Sequence, residues 1–198
     1  LLENTFRHVN IALVNELAMF AGDLGIDIWE SIDAASSKPF GFMRFTPGPG
    51  VGGHCLPIDP SYLSWRVKRS LGRNFRFVEL ANDVNDHMPD YVVRRLMDAL
   101  NARGRAVNGS RVLLLGLAYK KNSGDAREAP GLVVANRLAE LGADVRAADP
   151  LVAAAAVAAR VHRVEATADE VAAADAVVIL TDHDAFGLDH LILDARYV

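Results

Sequence analysis

Apolar residues recur every three or four positions from the start of the chain. Leu2, Phe6, Val9, Leu13, Leu17 and Phe20 share one face of a helical wheel, so "LLENTFRHVNIALVNELAMFAGDLG" predicts an amphipathic helix. Its apolar stripe needs either a core or a partner to cover it. The pattern opens without a capping residue or an initiator methionine, and the natural protein is therefore expected to begin further upstream. "IDIWESIDAASSK" gives a second helical run, and "PSYLSWRVKRSLG" restarts a helix at Pro60. "FVELANDVNDHMPDYVVRRLMDALNARG" is a long amphipathic stretch that Met88-Pro89 should break or kink. Residues 1–107 thus read as a helical domain.

From Arg111 the period changes. "RVLLLG" predicts a buried strand, "GLVVANRLAELG" a helix, "DVRAADP" a second strand, "ADEVAAADA" a helix, "VVILTD" a third strand and "LILDARYV" a fourth. The alanine-rich "LVAAAAVAARV" reads as helix on composition. Strands alternating with helices predict a doubly wound, Rossmann-like parallel sheet over residues 108–198, giving an α/β chain with a helical first part.

Composition narrows the classes. The 198 residues carry a net charge of −4 and are 51% hydrophobic, which points away from nucleic acid or an anionic membrane as partner. No segment holds eighteen uninterrupted apolar residues, and no signal peptide opens the chain. The single cysteine excludes an internal disulfide framework and fits a reducing, cytoplasmic setting. No metal is expected.

That cysteine sits within the most unusual stretch, "PGPGVGGHCLPIDP" at 47–60. Gly48, Gly50, Gly52 and Gly53 allow sharp turns or close approach, while Pro47, Pro49, Pro57 and Pro60 stiffen the loop. From the residues alone, Cys55 is either a small buried hydrophobe or a nucleophile, and only thiolate character would make it reactive. His54 beside it reads as packing or a minor ligand contact. Asp59, followed by Pro60, reads as an N-cap of the next helix, which would also fix a carboxylate four residues from the sulfur.

The strand-bearing half lacks the G-x-G-x-x-G of a dinucleotide site: Gly116 is followed by "LAYKKNSGDARE", although Asp149 does end the second strand. NAD is not expected to use this half in the usual way. Lys120, Lys121 and Arg127 concentrate positive charge just past a strand end, as a solvated loop or as a site for an anion.

Three motifs in order, "ENTFRHVNIALVNELA", "PGPGVGGHCLPIDPSYL" and "LLGLAYKKNSGDAREAP", closely resemble the UDP-glucose/GDP-mannose dehydrogenase family, and the resemblance runs over essentially the whole chain. It implies a central helical dimerisation domain followed by a UDP-binding domain, with the family's N-terminal NAD-binding Rossmann domain missing. "KPFGFMRFTPGPGVGGHC" is most similar to the branch acting on UDP-N-acetylhexosamines, with UDP-N-acetylglucosamine as the expected substrate and UDP-N-acetylmannosamine or UDP-glucose as alternatives.

The family resemblance implies two successive oxidations of the sugar C6 alcohol by two NAD+, through a thiohemiacetal and a thioester on Cys55. It further implies that Asp59 handles the hydrolytic water and that Asn4 orients water or the developing oxyanion. The family lysine four residues ahead of Asn4 would fall before Leu1. Gly52 and Gly53 would admit the sugar, Tyr119 and Lys120 match positions that contact the UDP-sugar, and Arg127 matches an arginine that reaches toward the cofactor. Where related enzymes offer a substrate-binding arginine across the dimer this chain has Pro39, with Lys38 and Arg44 as substitutes. A homodimer paired through the central helices is the implied partner. The alternative class is a UDP-binding and dimerising module without turnover of its own.

Overall fold

The computed structural model describes residues 1–193 and 195–198, and the chain divides into two units, Leu1–Met88 and Pro89–Val198. The first is built from α1 (Leu2–Leu24), α2 (Ile28–Ser36), α3 (Ile58–Leu71) and the opening half of α4 (Arg76–Asn101). Gly25 ends α1 in the left-handed conformation at φ 69. The Asp27 side chain caps α2 by accepting the Trp29 and Glu30 N–H groups.

The proline of α4 does not break it: the helix runs from Arg76 to Asn101 with Pro89 inside. Burial of Met88, Tyr91 and Val93 around the proline supplies packing that outweighs one lost backbone hydrogen bond.

Helix α1 lies the other way round from a simple amphipathic reading. Thr5, His8, Ala12 and Asn15 are buried, whereas Leu2, Phe6, Leu13, Leu17 and Phe20 are exposed. Of the predicted stripe, Val9 does pack inward, onto a small cluster of Ala12, Ala81 and Val84.

The second unit centres on a parallel sheet of β1 (Arg111–Leu115), β2 (Asp144–Ala148), β3 (His162–Arg163) and β4 (Ala176–Ile179), in the order β3-β2-β1-β4. Alternation along β1 sends Val112 and Leu114 to one face, where they meet Leu96 and Leu100 of α4 and Val134 and Leu138 of α5 (Pro130–Glu140). Leu113 and Leu115 go to the other, with Val171 of α6 (Ala168–Ala173). Both faces are covered, which makes the sheet doubly wound.

Two expectations for this unit are corrected. Residues 151–161 form no α-helix but one 3-10 turn at Ala154–Ala156, leading into the unforeseen strand β3. Val152 and Val161 anchor that segment at 4% and 5% exposure, and the alanines between them offer too little apolar surface to hold a helix against the sheet. The expected fourth strand at 191–198 is also absent among the described residues. Leu188–Leu191 forms a helical turn, α7, and Leu191, Ile192 and Ala195 pack over a sheet face rather than extending an edge. A backbone bond from Val177 N–H to Tyr197 O, 2.8 Å, ties the tail down; Asp194 lies outside the described residues. Among the described residues, no helix is long and apolar enough to cross a membrane.

Candidate functional site

The glycine-proline loop enters α3 through Cys55. Gly50 and Gly53 take φ of 134 and 91, values that glycine adopts without strain, and Gly52 and Gly53 are buried. Cys55 is exposed, so it is not the small core hydrophobe that its type alone allowed. His54 is exposed as well and does not pack.

Asp59 sits in the first turn of α3, and its N–H donates to the Cys55 carbonyl over 2.9 Å. It is not the N-cap: that position belongs to Pro57, which offers no side-chain cap. The Asp59 carboxylate is instead engaged by α1, where Asn4 donates from Nδ2 to Oδ2 at 2.7 Å. Two residues singled out from separate motifs thus meet, one helical turn from the cysteine. A carboxylate fixed by an amide beside an exposed thiol can hold a water and accept its proton.

The two cations of the neighbouring segment are placed differently. Arg44 pairs with Asp33 of α2 and lies 3.4 Å from Ser36 Oγ, so its guanidinium is turned onto that helix. Lys38 is exposed just beyond the end of α2.

In the second unit, Tyr119, Lys120 and Arg127 lie on the loop between β1 and α5. The Lys120 ammonium stands 5.5 Å from the centre of the half-buried Tyr119 ring. The positive charge expected here is largely answered by carboxylates. Arg127 grips Asp125 at 2.6 Å, and this side-chain contact, followed by the Arg127 N–H, holds the Asp125 carboxyl down at about 2. Lys121 lies 2.7 Å from Asp184 and 3.2 Å from Asp182.

Asp149 has a role that its place at the end of β2 did not reveal. One carboxylate oxygen accepts the Leu117 and Ala118 N–H groups at 2.6 and 3.1 Å, and the other accepts those of Leu151 and Val152. Asn122 N–H donates to Nδ1 of buried His183, which leaves Nε2–H of that neutral ring to donate to Asp149 over 3.1 Å. Burial raises the Asp149 pKa, but the backbone donors of Leu117, Leu151 and Val152 bring it below the ordinary range. The carboxylate joins the loops after β1, β2 and β4. Nothing in the sequence near His183 signalled this.

The same geometry tests the fit of NAD. A dinucleotide needs glycine turns after the first strand and an accessible acid after the second. Here the turn has only Gly116, and Asp149 is 5% exposed with its oxygens already taken. This sheet does not fit NAD in that mode.

Two family models match the chain: the UDP-glucose/GDP-mannose dehydrogenase family central domain over residues 1–87, and that family's UDP binding domain over residues 113–197. A UDP-N-acetyl-D-mannosamine dehydrogenase from Methanococcus maripaludis is 37% identical over 187 residues, covering 94% of this chain and 40% of its own. Among solved structures, a UDP-D-ManNAc dehydrogenase from Pyrococcus horikoshii superposes with a TM-score of 0.80 at 33% identity, over 98% of this chain and 44% of its own. A UDP-glucose dehydrogenase from Pyrobaculum islandicum gives a TM-score of 0.83 at 30% identity, over 98% and 48%. The chain spans less than half the length of these relatives.

Proposed function

Because the chain belongs to the UDP-glucose/GDP-mannose dehydrogenase family, we propose that it is the central and UDP-binding part of an NAD-dependent nucleotide-sugar 6-dehydrogenase acting on UDP-N-acetylmannosamine. The expectation of UDP-N-acetylglucosamine gives way here, since the relatives from M. maripaludis and P. horikoshii carry the mannosamine name. UDP-glucose is the second reading, favoured by the fold match to the P. islandicum enzyme.

The observation that carries the proposal is the Asn4–Asp59 contact beside exposed Cys55. An aldehyde has no C–H bond ready to leave as hydride until a nucleophile adds to its carbon. The Cys55 sulfur adds to that carbon and the thiol proton ends on the former carbonyl oxygen, giving a thiohemiacetal. Oxidation of that adduct leaves a thioester on Cys55, and water held by Asp59 and Asn4 releases the carboxylate and restores the thiol. NAD+ supplies the hydride acceptor. In the second unit, Tyr119 and Lys120 are the proposed contacts to the uridine diphosphate; in the first, Gly52 and Gly53 are the proposed contacts to the sugar, with Lys38 and Arg44 reserved for a partner's substrate. Arg127 is proposed to leave Asp125 for the cofactor.

The test is turnover of the complete protein with the three UDP-sugars, read as NADH formed and uronate produced. Two NADH per sugar with UDP-N-acetylmannosamine preferred supports the reading. Preference for UDP-glucose moves the assignment to the second one, and no NADH with any of them overturns both. The 198 residues alone are expected to bind UDP and reduce no NAD+.

A further inference from the structure

The loop that carries Cys55 is tied at both ends to a single run of polar side chains, of which His8, Asn15 and Asn85 are buried and Asn82 and Ser61 half-buried. At its entry, Gly48 N–H donates to Asn15 Oδ1 over 2.9 Å. Asn15 Nδ2 donates to Asn85 Oδ1, also 2.9 Å. Asn85 Nδ2 faces His8 Nδ1 at 3.5 Å and the His8 carbonyl at 3.4 Å, the loosest link of the run. His8 Nε2 lies 2.8 Å from Asn82 Oδ1, Asn82 Nδ2 donates to Ser61 Oγ at 3.0 Å, and Ser61 donates to the Pro57 carbonyl at 2.8 Å. Pro57 is the exit of the same loop.

The donors all point one way, from the Gly48 amide to the Pro57 carbonyl. An amide oxygen can only accept, so His8 must give its Nε2 proton to Asn82, which leaves Nδ1 bare to receive Asn85. Only the neutral ring completes the run. His8 is 2% exposed, Asn15 0% and Asn85 3%. Burial of amides and an imidazole in place of apolar side chains is costly unless every group is paired, and these groups pair with one another and with the loop.

We propose that His8, with Asn15, Asn82 and Asn85, is a positioning clamp that fixes both ends of the 48–57 loop and so aims Cys55 at the Asn4–Asp59 pair. None of these four residues touches the reacting atoms in this scheme; they act through the loop. The catalytic consequence rests on the dehydrogenase reading above, whereas the clamp itself does not.

The experiment compares wild type, His8→Leu, His8→Gln and Asn15→Ala in the complete protein by amide hydrogen exchange and by kinetics. His8→Leu severs both ring contacts, and exchange in a peptide spanning residues 46–58 should quicken about tenfold, the worth of one hydrogen bond, while peptides from 111–149 stay unchanged. His8→Gln keeps a donor toward Asn82 and should restore most of the protection. Asn15→Ala frees Gly48 N–H and the Asn85 oxygen but leaves both His8 ring contacts in place, so it preserves the test if His8→Leu fails to fold. With UDP-N-acetylmannosamine, His8→Leu should lower kcat about ten- to a hundredfold with KM changed less than about twofold, the signature of lost aim rather than lost binding.

Unchanged exchange at 46–58 in both His8→Leu and Asn15→Ala overturns the clamp, and so does an equal rise in every peptide. Faster exchange confined to the loop upholds it even if wild type reduces no NAD+, in which case only the dehydrogenase reading falls.

Discussion

Asn4 and Asp59 stand 55 positions apart in sequence and 2.7 Å apart in space, amide nitrogen to carboxylate oxygen. The amide fixes which carboxylate oxygen remains for water. If Asp59 handles the hydrolytic water, Asp59→Asn should lower kcat about a hundredfold or more, the range of a lost general base. Asn4→Ala removes one charge-assisted hydrogen bond and should cost about tenfold. The discriminating measurement is mass spectrometry of the Cys55 peptide from complete enzyme quenched during turnover. Asp59→Asn should accumulate acylated Cys55, and Cys55→Ser should show none. Absence of the acyl group in Asp59→Asn, with kcat reduced, would assign Asp59 to an earlier step.

Gly116, just past the end of β1, packs directly against Thr181, just past the end of β4. At φ 83, a Cβ there would lie 2.1 Å from the Thr181 backbone oxygen. Gly116→Ala therefore combines a left-handed backbone penalty with overpacking against main chain, and should destabilise the protein by about 3 kcal/mol or more. Urea denaturation followed by circular dichroism checks it. A midpoint within experimental error of wild type would mean that the β1 and β4 ends separate easily.

Much of this fold was readable because its strands are short apolar runs and its helices periodic. β1, β2 and β4 fall where "RVLLLG", "DVRAADP" and "VVILTD" placed them. What escaped follows from physics that periodicity does not carry. The buried face of α1 includes Thr5, His8, Ala12 and Asn15, and His8 and Asn15 are stable there only through partners on α4 and the loop, remote in sequence. β3 is two residues long, too short to alternate. Asp149 could be placed at a strand end, but its pairing with His183 is a tertiary fact. For the proposed site, motif resemblance singled out Cys55, Asp59 and Asn4 but did not foretell the Asn4–Asp59 contact, and the charge balance of the Lys120–Arg127 loop needed the positions of Asp125, Asp182 and Asp184.

The outward apolar side chains of α1 predict assembly. Leu13, Leu17 and Phe20 are 52%, 46% and 56% exposed within this chain, a contiguous patch of the kind that marks an interface. We expect the complete protein to sediment as a dimer and the double variant Leu13→Lys, Leu17→Lys to shift it toward monomer. Such a variant touches none of the buried face, so secondary structure should be retained. A dimer of unchanged stability would place the interface elsewhere.

Glu170 predicts a specific acid sensitivity. It accepts from Arg146 through Nε and Nη2, both at 2.7 Å, and from Arg111 at 2.8 Å. The Arg146 contact, opposed by some burial and reinforced by Arg111, lowers its pKa from 4.5 to about 2. A carboxyl depressed on folding binds fewer protons in the native state, so its contribution to stability is full above about 4.5 and is lost as pH falls toward 2. Glu170→Gln should destabilise the protein by about 2 kcal/mol at neutral pH, since two arginines lose their ionic acceptor. The difference in thermal midpoint between wild type and variant should narrow steadily from pH 5 to pH 3. A difference that stays constant across that range would show that the glutamate acts by shape and not by charge.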